Sequence, residues 1–271
     1  MKANDFLLEL GTEELPPKRL PRLMSSFGEA IAGELDKAQL AHGEIETFAT
    51  PRRLAVIVRG LAPEQPEQSI ERRGPAIKAA FDSSGTPTKA ASGFASSCGV
   101  EVDQLERMET DRGTWLVFRD TRPGLQVSEL IEGIVETATR ALPVERPMHW
   151  GASRAEFVRP VHWVVMLYGK DVLPAKLFGL DSGRVTRGHR FMSSGEGTIK
   201  AANDYTKVLE AQHVIASFER RRSIIATQLA AIEKQQGVRV EADPDLLDEV
   251  TSLVEWPVSL CGSFDPAFLA P

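Results

Sequence analysis

The first sixty residues carry a pattern of apolar positions that predicts a strand, a helix and two further strands. Residues 6–10 are apolar at all positions but one, as in a buried strand. From residue 18 to residue 40, apolar residues recur at three- and four-residue steps, which indicates a helix with one buried face. Residues 45–49 and 54–58 are rich in strand-forming residues, and 54–58 are apolar on both faces, as expected for an inner strand.

The rest of the chain continues this mixed pattern and becomes helical at its end. A strand is predicted at 115–120, a helix from 127 to before Pro143, and a hairpin from 161–168 and 172–178. Farther on, Asp243 and Pro244 predict the N-cap and first turn of a helix reaching about residue 254. This order predicts an α+β fold with mainly antiparallel sheet and packed helices, becoming helical toward the C-terminus.

A proline-rich polar segment at 62–68 is a candidate boundary within the fold. We predict an N-terminal α+β region at 1–145, with a possible insertion at 63–142, and a second α+β/helical region at 146–271. Apolar residues continue to Pro271. That feature predicts truncation within a longer protein.

Charge is unevenly distributed along the chain. The net charge is −6, which argues against a nonspecific nucleic-acid binder. Residues 140–192, however, contain nine lysines and arginines, Arg154 among them, and only four acidic residues. Three of the five histidines lie in the same segment. The positive charge of that region suits the binding of phosphate groups, whereas the acidic C-terminal part of the chain does not.

Common catalytic signatures are absent from the sequence. It has no phosphate-binding or dinucleotide-binding glycine loop, no nucleophile elbow and no zinc-protease motif. Cys98 and Cys261 lie far apart outside any metal-binding spacing, and both are predicted to be buried thiols. No leader or membrane segment is evident, so a cytoplasmic location is expected.

Several unusual strings remain after this exclusion, and they occur along almost the whole chain. They lie at residues 10–17 (LGTEELPP), 50–55 (TPRRLA), 72–76 (RRGPA), 148–151 (MHWG), 157–163 (FVRPVHW), 187–191 (RGHRF) and 253–258 (LVEWPV). Together, and in this order, they resemble the N-terminal part of the β subunit of the two-chain bacterial glycyl-tRNA synthetase. Each string alone is weak; the ordered set is specific.

The resemblance implies a division of labour between two subunits. The α subunit of that family carries the active site for glycine and ATP, and the β subunit binds tRNA(Gly) and completes an α2β2 assembly. The chain is then expected to be part of an ATP-dependent aminoacyl-tRNA ligase without catalytic residues, metal or cofactor of its own. ATP would be used in the α subunit, and no membrane is involved.

The planar guanidinium group of arginine binds phosphate, and aromatic and imidazole rings stack on bases. Residues of these kinds define a candidate tRNA-binding set. It comprises Arg52, Arg53, Arg72, Arg73, Trp150, Arg159, His162, Arg184, Arg187, His189 and Arg190.

Other interpretations of these residues stay open. Arg159 and Arg187 could instead pair with carboxylates such as Glu13, Glu14 or Glu255. A hydrolase or editing pocket could form around His189 with Glu13 or Glu14, or the chain could only bridge subunits. Trp163 and Trp256 are expected in the core, because their neighbours are apolar.

Overall fold

In the computed structural model, which describes residues 2–111, 113–151, 155–241 and 243–269, the chain forms two units. Unit 1 comprises Met1–Pro63 with Gln126–Pro271, and unit 2 comprises Glu64–Leu125. Unit 2 begins within the polar segment 62–68 and falls inside the possible insertion at 63–142. The division at residues 145 and 146 stays a prediction. Arg154, Ala270 and Pro271 lie outside the described residues.

Strands and helices together confirm the predicted α+β class, with helices more frequent toward the C-terminus. The strands are β1 (Asn4–Thr12), β2 (Ile45–Thr50), β3 (Arg53–Leu61), β4 (Gln68–Ala76), β5 (Glu106–Thr110), β6 (Gly113–Arg122), β7 (Met148–His149), β8 (Glu156–Phe157), β9 (Val161–Tyr168), β10 (Asp171–Val172), β11 (Lys176–Leu177), β12 (Leu180–Asp181), β13 (Val185–Arg187) and β14 (Glu196–Thr198). The α-helices are α1 (Leu20–Lys37), α2 (Ile77–Ala80), α3 (Lys89–Cys98), α4 (Val127–Arg140), α5 (Tyr205–Ala211), α6 (Phe218–Gln236) and α7 (Pro244–Leu253). Short 3-10 turns lie at Pro17–Arg19, Val102–Gln104, Ala202–Asp204 and Pro266–Leu269.

A five-stranded antiparallel sheet forms the centre of unit 1, in the order β10-β9-β1-β3-β2. The central strand β1 is buried on both faces. Its residue Leu8 packs in a core with Phe27 of α1 and Val135 of α4. Leu7, on the opposite face, packs in a second core with Tyr205 of α5. The two cores explain why the inner strands are apolar at nearly every position.

Helix ends in unit 1 follow local sequence signals. The Asp243 side chain accepts a hydrogen bond from the Asp245 amide, and Pro244 occupies the first turn of α7, so this prediction is confirmed. Ser217 caps α6 in the same way, and Gly237 ends α6 in the left-handed conformation, at φ +63°.

The predicted hairpin of 161–168 and 172–178 is only partly correct. β9 pairs with β10 through Asp171 and Val172, and the Leu173 amide donates to the Met166 carbonyl at 3.1 Å. Pro174 follows, and it has no amide hydrogen to extend the ladder. The chain therefore leaves the sheet, and Lys176–Leu177 pairs with Leu180–Asp181 instead.

Unit 2 has a three-stranded antiparallel sheet, β4-β6-β5, that packs on α2 and α3 around a small core containing Ala91, Ala95 and Leu116. Cys98 is half-buried at the last position of α3, where that helix ends at the surface. Cys261 of unit 1 is exposed. The prediction of two buried thiols is therefore wrong.

Candidate nucleic-acid interface

Several of the unusual strings meet at one end of the central sheet, where β1 ends and β3 and β9 begin. The Thr12 amide donates to the Arg52 carbonyl at 2.8 Å, and the Glu13 amide donates to the Pro160 carbonyl at 3.0 Å. These bonds hold together strings that are far apart in sequence. We call this region the sheet end.

Arg53 lies at the centre of the sheet end and is completely buried. Its Nη1 donates to Glu9 Oε2 at 3.3 Å, and its Nη2 donates to Glu255 Oε1 at 3.2 Å. Nη2 also donates to the Arg187 carbonyl at 3.0 Å, and Nε donates to Thr50 Oγ1 at 3.1 Å. The predicted RNA contact Arg53 therefore has no exposed surface, and all three of its nitrogens are bonded within the protein.

Glu9 is the second buried charge of the sheet end, and it accepts hydrogen bonds on both oxygens. Trp163 Nε1 and Thr186 Oγ1 donate to Oε1 at 2.6 and 2.5 Å, and the Tyr205 hydroxyl donates to Oε2 at 2.7 Å. Burying a carboxylate without hydrogen-bond partners costs free energy. The three donors and Arg53 therefore stabilise the Glu9 carboxylate within an apolar strand. We call Glu9, Thr50, Arg53, Trp163, Thr186, Tyr205 and Glu255 the buried network.

Burial and the two acids of the network shift the pKa values of Arg53 and Tyr205. Burial alone would lower the pKa of Arg53, but the carboxylates of Glu255 and Glu9 outweigh burial and raise that pKa. Burial, reinforced by the Glu9 charge, raises the pKa of Tyr205 well above its usual value of 10. Tyr205 is therefore held protonated as a donor to Glu9.

This pKa shift predicts a loss of stability in alkali. Above about pH 10 the tyrosine of the unfolded chain has released its proton while folded Tyr205 retains its own. The free energy of unfolding should therefore fall as pH rises above 10, by up to about 1.4 kcal/mol per pH unit for this one group. Urea denaturation at a series of pH values measures the slope.

Tyr205→Phe should reduce that slope, since it removes the titrating group. The chain has one other tyrosine, Tyr168, whose pKa burial also raises. Tyr168→Phe should reduce the slope less, because its shift is the smaller one. Equal slopes in Tyr205→Phe and the parent chain would contradict this assignment.

Three exposed or half-buried arginines and one half-buried histidine border the network. The guanidinium carbons of Arg187 and Arg52 lie 5.1 and 5.9 Å from the centre of the Trp163 ring. Arg187 and Arg190 are exposed, and among the described residues neither has a carboxylate within ion-pair distance. Arg52 is half-buried, with its Nε lacking a hydrogen-bond partner in the described chain. We call Arg52, Arg187, His189 and Arg190 the cationic rim.

A groove of about 180 Å³ lies along this rim. Arg52, His189, Arg190 and Phe191 line one part of it, and Glu14, Pro51 and residues 253–256 line the rest. Two carboxylates line the groove, those of Glu14 and Glu255. Glu255 is bonded to Arg53, whereas Glu14 has no cationic partner among the described residues. The rim therefore carries an excess of positive charge.

The structure places the other candidate residues away from this groove or in internal contacts. Arg159 Nε donates to the Glu14 carbonyl at 3.0 Å, and Arg184 Nη2 donates to the Lys170 carbonyl at 3.1 Å. Half-buried Trp150 packs with its ring centre 6.2 Å from that of Phe178. In unit 2, Arg72 donates to the Ser97 carbonyl at 2.9 Å, and the Arg73 guanidinium lies 3.7 Å from the Trp115 ring centre.

The histidines of the sheet end have separate partners. His162 Nε2 lies 3.0 Å from Glu13 Oε1, so Glu13 is the partner of His162. His189 Nδ1 accepts from the Phe191 and Met192 amides, both at 3.2 Å. Among the described residues His189 has no carboxylate at ion-pair distance, and no cluster of three metal-ligand side chains is found there.

Sequence reasoning missed much of the buried network. Glu9, Thr186 and Tyr205 were not candidates, although a lone carboxylate within an apolar strand was a signal for Glu9. Trp163 is 8% exposed, which confirms its predicted place in the core, while Trp256 is half-buried. None of the described helices is long and apolar enough to cross a membrane.

Comparison with known proteins agrees with the resemblance of the strings. A family model described as glycyl-tRNA synthetase beta subunit matches residues 6–270. Proteins named glycine--tRNA ligase beta subunit from Marinobacter nauticus and Chromohalobacter salexigens are 50% and 51% identical to it, each over 99% of the chain. A third, from Hahella chejuensis, is 48% identical. The chain spans 39% of the length of each of these relatives. The chain therefore belongs to the glycyl-tRNA synthetase beta subunit family.

Proposed function

We propose that this chain is a tRNA-binding and assembly part of a glycine--tRNA ligase. In this proposal it holds tRNA(Gly) and docks on the catalytic α subunit of an α2β2 enzyme, which uses ATP to attach glycine. The chain itself supplies no catalytic residue. Family membership supports the ligase assignment. The name beta subunit, borne by the relatives, supports assembly with a second kind of chain.

The cationic rim is the observation that carries the RNA part of the proposal. Arg187 and Arg190 are exposed and lack carboxylate partners among the described residues, so their guanidinium donors are available to phosphate. The Phe191 ring centre lies 5.9 Å from the Arg190 guanidinium carbon and 6.3 Å from the His189 ring centre. Arg53 does not enter the proposed contact set, since it is buried; it supports the rim by bonding the Arg187 carbonyl.

Removing both exposed arginines should weaken tRNA binding in a salt-dependent way. In the α2β2 enzyme, Arg187→Ala combined with Arg190→Ala should lower the affinity for tRNA(Gly). The slope of log affinity against log salt should become shallower by roughly one for each phosphate group that the protein no longer neutralises. Filter binding or fluorescence anisotropy at several salt concentrations measures both quantities.

A matched variant separates local contact from loss of overall charge. Arg22 is exposed on α1 and Lys234 is exposed on α6, so Arg22→Ala combined with Lys234→Ala removes two positive charges from other elements. It should leave the affinity and the salt slope near their original values. Sedimentation of each variant enzyme verifies that α2β2 assembly is retained. Unaltered affinity and slope in the double arginine variant would refute RNA contact at the rim and favour a role in bridging subunits alone.

A further inference from the structure

One large aromatic side chain of the sheet end stands almost wholly in solvent. Phe191 lies in the loop between β13 and β14 and is 86% exposed; its neighbour Met192 is 48% exposed. A single exposed apolar residue is common on protein surfaces and by itself indicates nothing. The construction of this loop distinguishes Phe191 from such residues.

Hydrogen bonds within unit 1 fix the backbone on both sides of Phe191. The Gly188 amide donates to the Gly195 carbonyl at 2.8 Å and closes the loop at its base. The His189 amide donates to the Gln212 carbonyl at 2.9 Å, which attaches the loop to the residue after α5. His189 Nδ1 accepts from the Phe191 and Met192 amides, so these two donors are satisfied within the loop.

Close packing holds the base of this loop in place. A Cβ atom on Gly188 would lie 2.2 Å from Ser193 Oγ and 2.8 Å from Gln212 Cβ. The Ser193 hydroxyl is itself bonded to the Gln212 side chain. The backbone that carries Phe191 is thus preformed, which reduces the entropy lost when a ligand binds there.

The surroundings of the ring favour a nucleotide over an apolar protein surface. The Arg190 guanidinium carbon lies 5.9 Å from the Phe191 ring centre, and the His189 ring centre lies 6.3 Å from it. Arg52 lines the same groove. A flat apolar face beside two arginines matches the alternation of base and phosphate along a single strand. Bases within a duplex are already stacked on each other, so an aromatic platform of this kind suits an unpaired base.

We propose that Phe191 is a stacking platform for an unpaired base of bound tRNA, with the adjoining phosphates held by Arg190 and Arg52. This inference rests on the proposed tRNA-binding function. It adds a residue absent from the candidate set, and it identifies the contacted RNA as single-stranded.

The test compares Phe191 variants in the α2β2 enzyme bound to tRNA(Gly). Phe191→Ala should weaken binding about 5- to 150-fold, the range expected for one stacked base. Its salt slope should stay unaltered, because no charge is removed. Phe191→Trp should bind as well as the original enzyme or better, since indole offers a larger stacking face.

Two controls distinguish stacking from simple apolar contact. Phe191→Leu keeps an apolar side chain without a ring and should weaken binding nearly as much as Phe191→Ala. Val185→Ala shortens another exposed apolar residue, 40% exposed on β13, and should have no effect. Binding of Phe191→Leu equal to that of the original enzyme would overturn the stacking proposal.

The remaining outcomes separate this inference from the function on which it rests. If Phe191→Ala binds tRNA normally while the double arginine variant does not, stacking is refuted and the RNA-binding rim stands. If neither variant alters binding, both proposals fail. If Phe191→Ala instead dissociates the α subunit in sedimentation and Phe191→Trp does not restore assembly, the ring contacts protein, and the stacking proposal is again overturned.

Discussion

Replacing Arg53 with alanine should lower the free energy of unfolding by about 3–5 kcal/mol. The substitution leaves Glu9, which is fully buried, and Glu255, which is 5% exposed, without their shared cation. Removing one partner of a buried ion pair costs far more than the pair contributes, because the remaining charge stays desolvated. Urea denaturation followed by tryptophan fluorescence measures the difference.

Arg59 is the matched control, since it lies on the same strand and also contacts two carboxylates. It bonds Asp5 Oδ2 at 2.7 Å and Glu46 Oε1 at 2.6 Å, but its side chain is 35% exposed. Water and salt screen such pairs, so Arg59→Ala should cost about 1 kcal/mol or less. If Arg53→Ala proved no more destabilising than Arg59→Ala, the buried network would not be a principal source of stability.

Gly11→Ala should destabilise unit 1 by about 2–4 kcal/mol, through overpacking and a broken buried hydrogen bond. A Cβ atom at Gly11 would lie 1.8 Å from Trp163 Cε2, well inside van der Waals contact. The indole would have to move, and its 2.6 Å hydrogen bond to Glu9 would be strained or broken. Denaturation curves, together with the near-ultraviolet circular dichroism of the tryptophans, measure both effects.

Gly33→Ala offers a comparison with the same chemical change. An added Cβ at Gly33, within α1, meets no atom outside its own helix backbone within 4 Å among the described residues. Alanine also favours helix over glycine by about 0.5–1 kcal/mol, so Gly33→Ala should be neutral or stabilising. Equal stability of Gly11→Ala and the parent chain would mean that Trp163 has space the structure does not show.

Sequence periodicity predicted much of the secondary structure, because the two cores impose regular apolar spacing on β1 and α1. The cap of α7 was equally readable, since Asp243 and Pro244 act within one turn. The end of β10 was not predicted correctly, because Pro174 overrides the strand propensity of its neighbours. Local signals of this kind say little about which distant elements meet.

The candidate site was harder to predict because its bonds are non-local. Thr50 and Glu255, bonded at 2.6 Å, are 205 positions apart. Adjacent Arg52 and Arg53 looked equivalent by residue type, yet Arg53 is buried among carboxylates and Arg52 borders the groove. Phe191 was overlooked as a site residue because an apolar side chain is normally assigned to a core.

The long sequence separation within the buried network has a consequence for folding during synthesis. The sheet of unit 2 uses only strands between Glu64 and Leu125, so its pairings are available soon after that segment leaves the ribosome. Arg53 and Glu255 are 202 positions apart, which corresponds to roughly 10–40 s of translation. Throughout that interval Arg53 lacks the carboxylate of Glu255. The nascent chain therefore exposes an incomplete sheet end to chaperones until Glu255 emerges and closes it.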